Sequence, residues 1–130
     1  MAATYNIPTQ YNGDTFEIID FKFFEGSAEA GNELDLSTGG TVKMQVRRGS
    51  VTGEVVETLM IGSGFEWVNQ SEGHFRTTEF IIDWGGGTYY YDLEIAYSPT
   101  LVKTYIKGSI IVEEDVTDTT TLEDFPIVTP

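Results

Sequence analysis

The chain has 130 residues, of which 40% are hydrophobic and 13% aromatic, and it carries a formal net charge of −14 with no cysteine. This length and apolar content predict one domain with a single core, and the missing cysteine excludes disulfides and thiolate nucleophiles. The negative charge repels phosphate backbones and anionic lipids, and no apolar stretch reaches the roughly 20 residues of a spanning helix, so we expect no nucleic-acid and no membrane partner.

The N-terminal part of the sequence predicts an arm followed by the first strand of the core. Residues 1–13 contain Pro8 and the pair Asn12-Gly13, which predict an extended arm that ends in a turn. The arm lacks the basic and apolar segments of an export signal. Residues 14–24 alternate between apolar and polar side chains with one change of phase, which indicates a bulge or a switch between two sheets.

The middle of the sequence predicts a loop and then a series of strands. Residues 25–40 are rich in glycine, serine and acids, and they predict a loop from which Leu34 and Leu36 return to the core. Residues 41–48 alternate cleanly and predict a half-buried strand. Its predicted inward residues are Val42, Met44 and Val46. Further strands are predicted at residues 55–61, 65–68 and 75–84.

Residues 84–116 predict two long strands joined by a short break at residues 98–100, which is typical of an antiparallel hairpin. The inward face of the first strand is predicted to hold Tyr89, Tyr91, Leu93, Ile95 and Tyr97. The second strand is predicted to place Val102, Ile106, Ile110 and Val112 inward and Lys103, Tyr105, Lys107 and Glu113 outward. Tyr90 and Tyr105 therefore face outward on adjacent strands, in positions that allow a cross-strand pair.

The whole pattern predicts an all-β domain, because no segment shows clean helical periodicity and turn signals separate the strands. We expect an antiparallel β-sandwich of about seven strands in two sheets, since long loops and the change of phase suit strands that switch sheets. The predicted organisation is an arm at residues 1–13, the sandwich at residues 14–117 and an acidic, threonine-rich tail at residues 118–130.

The C-terminal segment differs in composition from the rest of the chain. From Glu113 to Asp124 it has six acidic residues and no basic one, so it has little reason to pack by itself. Beyond this acidic stretch, Phe125, Ile127 and Val128 form a small apolar cluster. Such a cluster suits addition to the edge of a neighbour's sheet.

The sequence shows no constellation for catalysis or for cofactor binding. The single histidine, His74, lies in a predicted turn, and no serine lies in a strand–turn–helix elbow. Acidic residues are numerous, but no calcium-loop motif orders them, and the glycine-rich segments at residues 62–64 and 85–87 precede no helix that would hold a phosphate. We therefore expect no enzyme activity, no metal and no cofactor.

Aromatic residues raise a carbohydrate-binding hypothesis, because sugars stack on exposed rings. The candidates are Trp67, Trp84, Tyr90 and Tyr105. Trp84 shares the inward parity of its strand, so core packing is its better interpretation. Trp67 and the two outward tyrosines remain candidates for a binding surface.

Three blocks in this order resemble a known family: LDLSTGGTVKMQVRRGSVTGEVV at residues 34–56, WGGGTYYYDLEI at residues 84–95 and VKTYIKGSIIVEEDVT at residues 102–117. Together they resemble the immunoglobulin-like N-terminal domain of phage baseplate upper proteins and related small tail-associated proteins. The resemblance implies an immunoglobulin-like sandwich. It also implies that Tyr89, after its glycine turn, locks a corner of the sandwich by a hydroxyl bond to the backbone.

The resemblance predicts a bacteriophage virion structural protein, associated with the tail, baseplate or neck or decorating the capsid. Its expected partners are other virion proteins and copies of itself, in a homo-oligomer or ring within the virion. The alternative is a carbohydrate-binding β-sandwich module. The predicted interaction surface consists of Trp67, Tyr90, Tyr105, Phe125, Ile127 and Val128.

Overall fold

A computed structural model of the protein describes residues 3–24, 33–37, 39–98 and 100–114, without the side chains of residues 97 and 98. Its strands are β1 (Ala3–Thr4), β2 (Ile7–Asn12), β3 (Asp20–Lys22), β4 (Thr41–Arg48), β5 (Val55–Ile61), β6 (Gly64–Asn69), β7 (His74–Thr77), β8 (Gly87–Ser98) and β9 (Leu101–Glu114). One 3₁₀ turn, Gln70–Glu72, joins β6 to β7. The all-β prediction is confirmed. In the described ranges, no helix has the length and apolar character needed to cross a membrane.

The described strands form a single mixed sheet of nine strands in the order β1-β9-β8-β4-β5-β6-β7-β3, with β2 also beside β9. The sequence predicted about seven antiparallel strands in two sheets. The parallel pairings are those of β1 and β2 with β9 and of β5 with β6. The long central strands β4, β8 and β9 pair antiparallel, as the hairpin pattern predicts.

The sheet curls into a half-barrel around its core. The ring of Phe23, just after the edge strand β3, stacks on Tyr105 of β9 with centroids 5.0 Å apart. The neighbouring strands β5 and β6 share only the rungs Met60–Gly64 and Ile61–Phe65.

Most of the predicted inward residues are buried in this core. The confirmed set is Leu34, Leu36, Val42, Met44, Val46, Trp84, Tyr89, Tyr91, Leu93, Ile95, Ile110 and Val112. The change of phase in residues 14–24 is also confirmed. Phe16 and Phe21 are both buried, whereas regular alternation would place residues an odd number of steps apart on opposite faces. The backbone between them is mostly irregular, and only β3 is a regular strand there. Residues 78–84 likewise continue from β7 without regular pairing, so the predicted strand at residues 75–84 is shorter than expected.

A β-bulge at Tyr105 reverses the alternation in the first part of β9. The register pairs Leu93 with Ile106 but Glu94 with Thr104, so Tyr105 is an inserted residue. The predictions for this part of β9 are therefore wrong. Val102 lies outward and is 47% exposed, and Tyr105 packs against the core. Lys103 lies opposite the buried Ile95 and thus on the core side.

Residues 3–12, predicted as part of an arm ahead of the core, run parallel to β9 along its edge. Ile7 is 4% exposed and belongs to the core, so the core does not begin only after residue 13. The Tyr91 hydroxyl donates to the Tyr5 carbonyl oxygen at 2.6 Å, which ties this strand to β8. The predicted turn at Asn12-Gly13 is confirmed, with the Asp14 amide donating to the Tyr11 carbonyl.

The Tyr91 contact predicts a loss of stability at alkaline pH. Burial raises the pKa of Tyr91 well above its usual range, and nearby Tyr5 raises it further. The pKa of a tyrosine hydroxyl in the unfolded chain is roughly 10. Because the pKa of Tyr91 is higher in the folded chain, the free energy of unfolding is unaffected by this group below about pH 10 and falls as the pH rises above it. We expect urea unfolding measured from pH 8 to 11 to show this decline, and Tyr91→Phe to flatten it. An equally steep decline in the variant would contradict the assignment to Tyr91.

The Tyr89 hydroxyl bonds to the backbone just before β8. Its ring is buried, and its hydroxyl oxygen lies 2.8 Å from the Trp84 carbonyl oxygen and 2.7 Å from that of Gly85. The predicted hydroxyl bond to the backbone is therefore confirmed. Its proton is shared between two carbonyl groups at the entry to β8, which fixes the chain where it turns into the sheet.

Tyr89→Phe is expected to lower the free energy of unfolding by about 1–2 kcal/mol, because it leaves these carbonyl groups without their donor. Chemical denaturation measures the change. Tyr90→Phe is the matched control, since Tyr90 is the next residue but lies half-buried on the opposite face of β8. Equal stabilities of the two variants would refute the corner role.

Candidate functional site

The structure separates the aromatic residues that the sequence grouped together. Trp67 lies on the core side of β6, half-buried, and its ring meets Phe75 edge-on with centroids 6.0 Å apart. Tyr105 stacks on Phe23 on the core side of β9. Tyr90 lies on the outer face of β8 opposite Ser109, so the predicted Tyr90–Tyr105 pair does not form. Residues 125, 127 and 128 lie outside the described part of the chain.

Tyr90 is the middle residue of one of two neighbouring rungs that cross three strands on the outer face of the sheet. The first rung is Arg47–Tyr90–Ser109 and the second is Gln45–Asp92–Lys107. Side chains in register on neighbouring strands share one face, so these six residues form a continuous polar surface around the tyrosine ring. We call this surface the outer-face groove.

The loop between β4 and β5 forms one wall of the outer-face groove. The Arg47 guanidinium donates to the Gly53 carbonyl oxygen at 2.8 Å, which holds the loop over the sheet. Val51 at the loop's tip is 74% exposed and lines the groove. Two adjoining cavities of about 310 Å³ and 290 Å³ share Val51, Tyr90 and Lys107 in their walls. The groove therefore combines an aromatic floor with an apolar wall and charged sides.

The charges of the groove differ from those of the whole chain. The chain has seven lysines and arginines against 21 acids, and the groove holds two of the seven, Arg47 and Lys107, with one acid, Asp92. Other cations are paired elsewhere: Lys22 with Glu72, Arg48 with Glu54 and Arg76 with Glu66. In the part of the chain that the structure describes, no ion pair involves Arg47 or Lys107. Arg47 donates to the Gly53 carbonyl oxygen, and Lys107 is the register partner of Asp92.

The single histidine, His74, contacts an acidic side chain at the edge of the sheet. His74 lies on β7, and its Nε2 atom is 3.0 Å from the Asp20 carboxylate at the edge of the sheet. This pair is a cross-strand contact, since Lys22 rather than Asp20 is the register partner of His74. Within the described ranges, no three or more histidine, aspartate or glutamate side chains are grouped to hold a metal ion. The outer-face groove is therefore the site with the most features of a binding surface.

Comparison of the chain with models of protein families found no match, and comparison with curated proteins also found none. The resemblance to phage baseplate and tail-associated proteins therefore stays a prediction from the three sequence blocks.

Sequence reasoning found Tyr90 but missed Arg47, Asp92 and Lys107 as its neighbours. Outward parity on their strands was a usable signal for all three. The register that sets them on two adjacent rungs depends on the pairing of β8 between β4 and β9. Gly49 and Gly53 indicate a turn in the sequence, but the position of Val51 over the sheet depends on the hydrogen bond from Arg47 to the Gly53 carbonyl oxygen.

Proposed function

We propose that this protein is a bacteriophage virion structural protein, associated with the tail, baseplate or neck or decorating the capsid, and that it acts as an assembly and interaction module. The phage context is supported by the three blocks that resemble baseplate and tail-associated proteins. The assembly role is supported by one structural observation, the open edge of the sheet. Residues 3–12 pair with β9 on one side, and no described strand pairs on the other.

The open edge suits the addition of a strand from another chain. Unpaired backbone groups on an edge strand are a ready template for β-augmentation. Tyr5 and Tyr11 on this edge are 42% and 46% exposed, and they add apolar area for a partner. Pro8 interrupts the row of backbone donors at one position. The expected partners are copies of this chain and other virion proteins, in a homo-oligomer or ring.

We further propose that the curled sheet is a variant of the immunoglobulin-like sandwich that the resemblance implies. The stacking of Phe23 on Tyr105 supports this view, because it brings the β3 end of the sheet over β9. The buried hydroxyl bond of Tyr89 to the Trp84 carbonyl supports it as well, since such tyrosine corners are typical of the fold.

Deletion of residues 118–130 tests the assembly proposal. The described core draws its buried side chains from residues 7–112, so the truncated chain is expected to keep its fold and unfolding midpoint. Its assembly, and its incorporation into particles, are expected to weaken. Sedimentation velocity on the purified chain and mass spectrometry of purified virions measure the two effects. A full-length chain with residues 118–130 in scrambled order is the control for length and charge. Truncated protein that assembles as well as the full chain would refute the proposal.

A carbohydrate-binding module remains the second candidate, and the position of Tyr90 favours it. The ring forms the floor of the outer-face groove with hydrogen-bonding groups on both sides. A glycan panel tests this candidate, with Tyr90→Ala expected to abolish binding and Trp67→Ala, on the core side, as the comparison variant. Absence of binding to every glycan in the panel would refute the carbohydrate-binding proposal. Binding that Tyr90→Ala does not reduce would refute it as well.

A further inference from the structure

We propose that the outer-face groove is the docking site for the C-terminal segment of a neighbouring copy of this chain, with residues 123–128 seated in it. The inference rests on the proposed assembly function and names the surface through which the tail would act. Charge, side-chain chemistry and chain length each support this choice of occupant.

The charges of groove and segment are complementary. Arg47 and Lys107 lie on strands separated by β8 and on neighbouring rungs, so two inter-strand spacings and a two-residue offset place their Cα atoms about 12 Å apart. Asp92 on the central strand offsets one of the two positive charges. The segment brings Glu123 and Asp124 at the end of a stretch with six acids and no base. Two adjacent carboxylates in an extended peptide point to opposite sides and can reach both cations.

The apolar parts of groove and segment also correspond. Phe125 and Pro126 directly follow the two acids. Tyr90 offers a ring face on which an aromatic ring or a proline packs, and Val51 closes the side of the cavity. A cavity of about 310 Å³ has room for such side chains. The segment thus brings two acids and an aromatic ring to a groove that holds two cations and an aromatic floor.

Chain length favours a neighbouring copy over the same copy. The last described residue, Glu114, lies seven positions beyond Lys107 on β9, which corresponds to about 24 Å along the strand. Residues 115–123 span at most about 30 Å when fully extended, and returning to the groove of the same copy also requires a reversal of direction. Docking in a second copy requires no such reversal.

Photo-crosslinking in the full-length chain tests the proposal. A photo-reactive amino acid replaces Val51, and isotopically light and heavy proteins are mixed before irradiation. Mass spectrometry is expected to find crosslinks from position 51 to residues 118–130 that join a light copy to a heavy one. The same probe at Ile81, which is 58% exposed on an irregular segment away from the groove, is expected to give none of these crosslinks. Crosslinks within single copies, crosslinks only to other segments, or no crosslinks would overturn the proposal.

A matched pair of charge reversals tests the ionic contact. Lys107→Glu in the probe protein is expected to reduce the light–heavy crosslinks about tenfold. Lys22→Glu changes the net charge equally but lies on β3, and it is expected to leave them unchanged. Equal effects of the two variants would overturn the proposed groove.

If deletion of residues 118–130 weakens assembly but position 51 never crosslinks to these residues, the assembly function stands and the proposed docking site is wrong. If a glycan occupies the groove and blocks crosslinking, the docking site fails as well.

Discussion

Replacement of Phe75 by alanine is expected to lower the free energy of unfolding by about 3–5 kcal/mol. Phe75 is fully buried on β7, and its ring contacts four others. The contacting rings are Phe21, Phe23, Phe65 and Trp67, with centroids 5.5, 5.5, 5.1 and 6.0 Å away. These residues come from β3, its following segment and β6, so the ring is the centre of the half of the core opposite β8 and β9. A cavity at this point removes contacts from every element around it.

Chemical denaturation followed by tryptophan fluorescence measures the effect, since Trp67 lies against the replaced ring. The expected loss is a large fraction of the roughly 5–15 kcal/mol by which a domain is stable. Phe75→Leu keeps most of the volume and is expected to cost clearly less. Val51→Ala, at a highly exposed position, is expected to change stability by no more than about 0.5 kcal/mol. A Phe75→Ala variant as stable as Val51→Ala would contradict the described core.

Gly108→Ala is expected to displace the N-terminal strand from β9. A β-carbon at this position would lie only 1.9 Å from the Tyr5 carbonyl oxygen and 3.1 Å from the Tyr91 ring. The first of these atoms is backbone, so no side-chain rotation relieves the clash. The edge strand must move, which breaks the Tyr91–Tyr5 hydrogen bond and exposes Ile7. We expect a destabilisation of about 1–3 kcal/mol, the usual range for overpacking.

Hydrogen exchange measured by mass spectrometry locates this effect. Amides of residues 3–12 are expected to exchange much faster in the Gly108→Ala variant, while β4 and the paired part of β8 stay protected. Gly86→Ala is the control, because the nearest atoms to its new β-carbon belong to the exposed Glu114 side chain at 3.1 Å. Unchanged protection of residues 3–12 in Gly108→Ala would show that this segment does not pack on β9 as described.

The sequence allowed the buried faces of the central strands to be predicted well. Tyr89, Leu93 and Ile95 on β8 are buried as their alternation indicates. A strand's period of two is a local property, and it suffices to sort side chains into faces where pairing is regular. Where one residue is inserted, the same logic fails, and the bulge at Tyr105 therefore reversed the predicted faces of Val102 and Lys103.

The candidate site was predicted only in its central residue. Outward parity identified Tyr90, but parity also grouped it with Tyr105, which packs on Phe23 instead. No local pattern distinguishes an aromatic ring on an open face from one that the curl of a sheet covers. Trp67 shows the same limit, since its contact with Phe75 depends on the pairing of β6 with β7.

The sequence alone determined that this protein is all-β and that β8 and β9 form a long antiparallel hairpin, and the family resemblance implied the bond of Tyr89 to the backbone. The first two follow from neighbours along the chain, namely alternation and turn residues. The tertiary structure alone decided the mixed nine-stranded sheet, the seating of residues 3–12 on β9 and the outer-face groove around Tyr90. These features depend on strand register and on sheet curvature, which arise from contacts between residues far apart in the sequence.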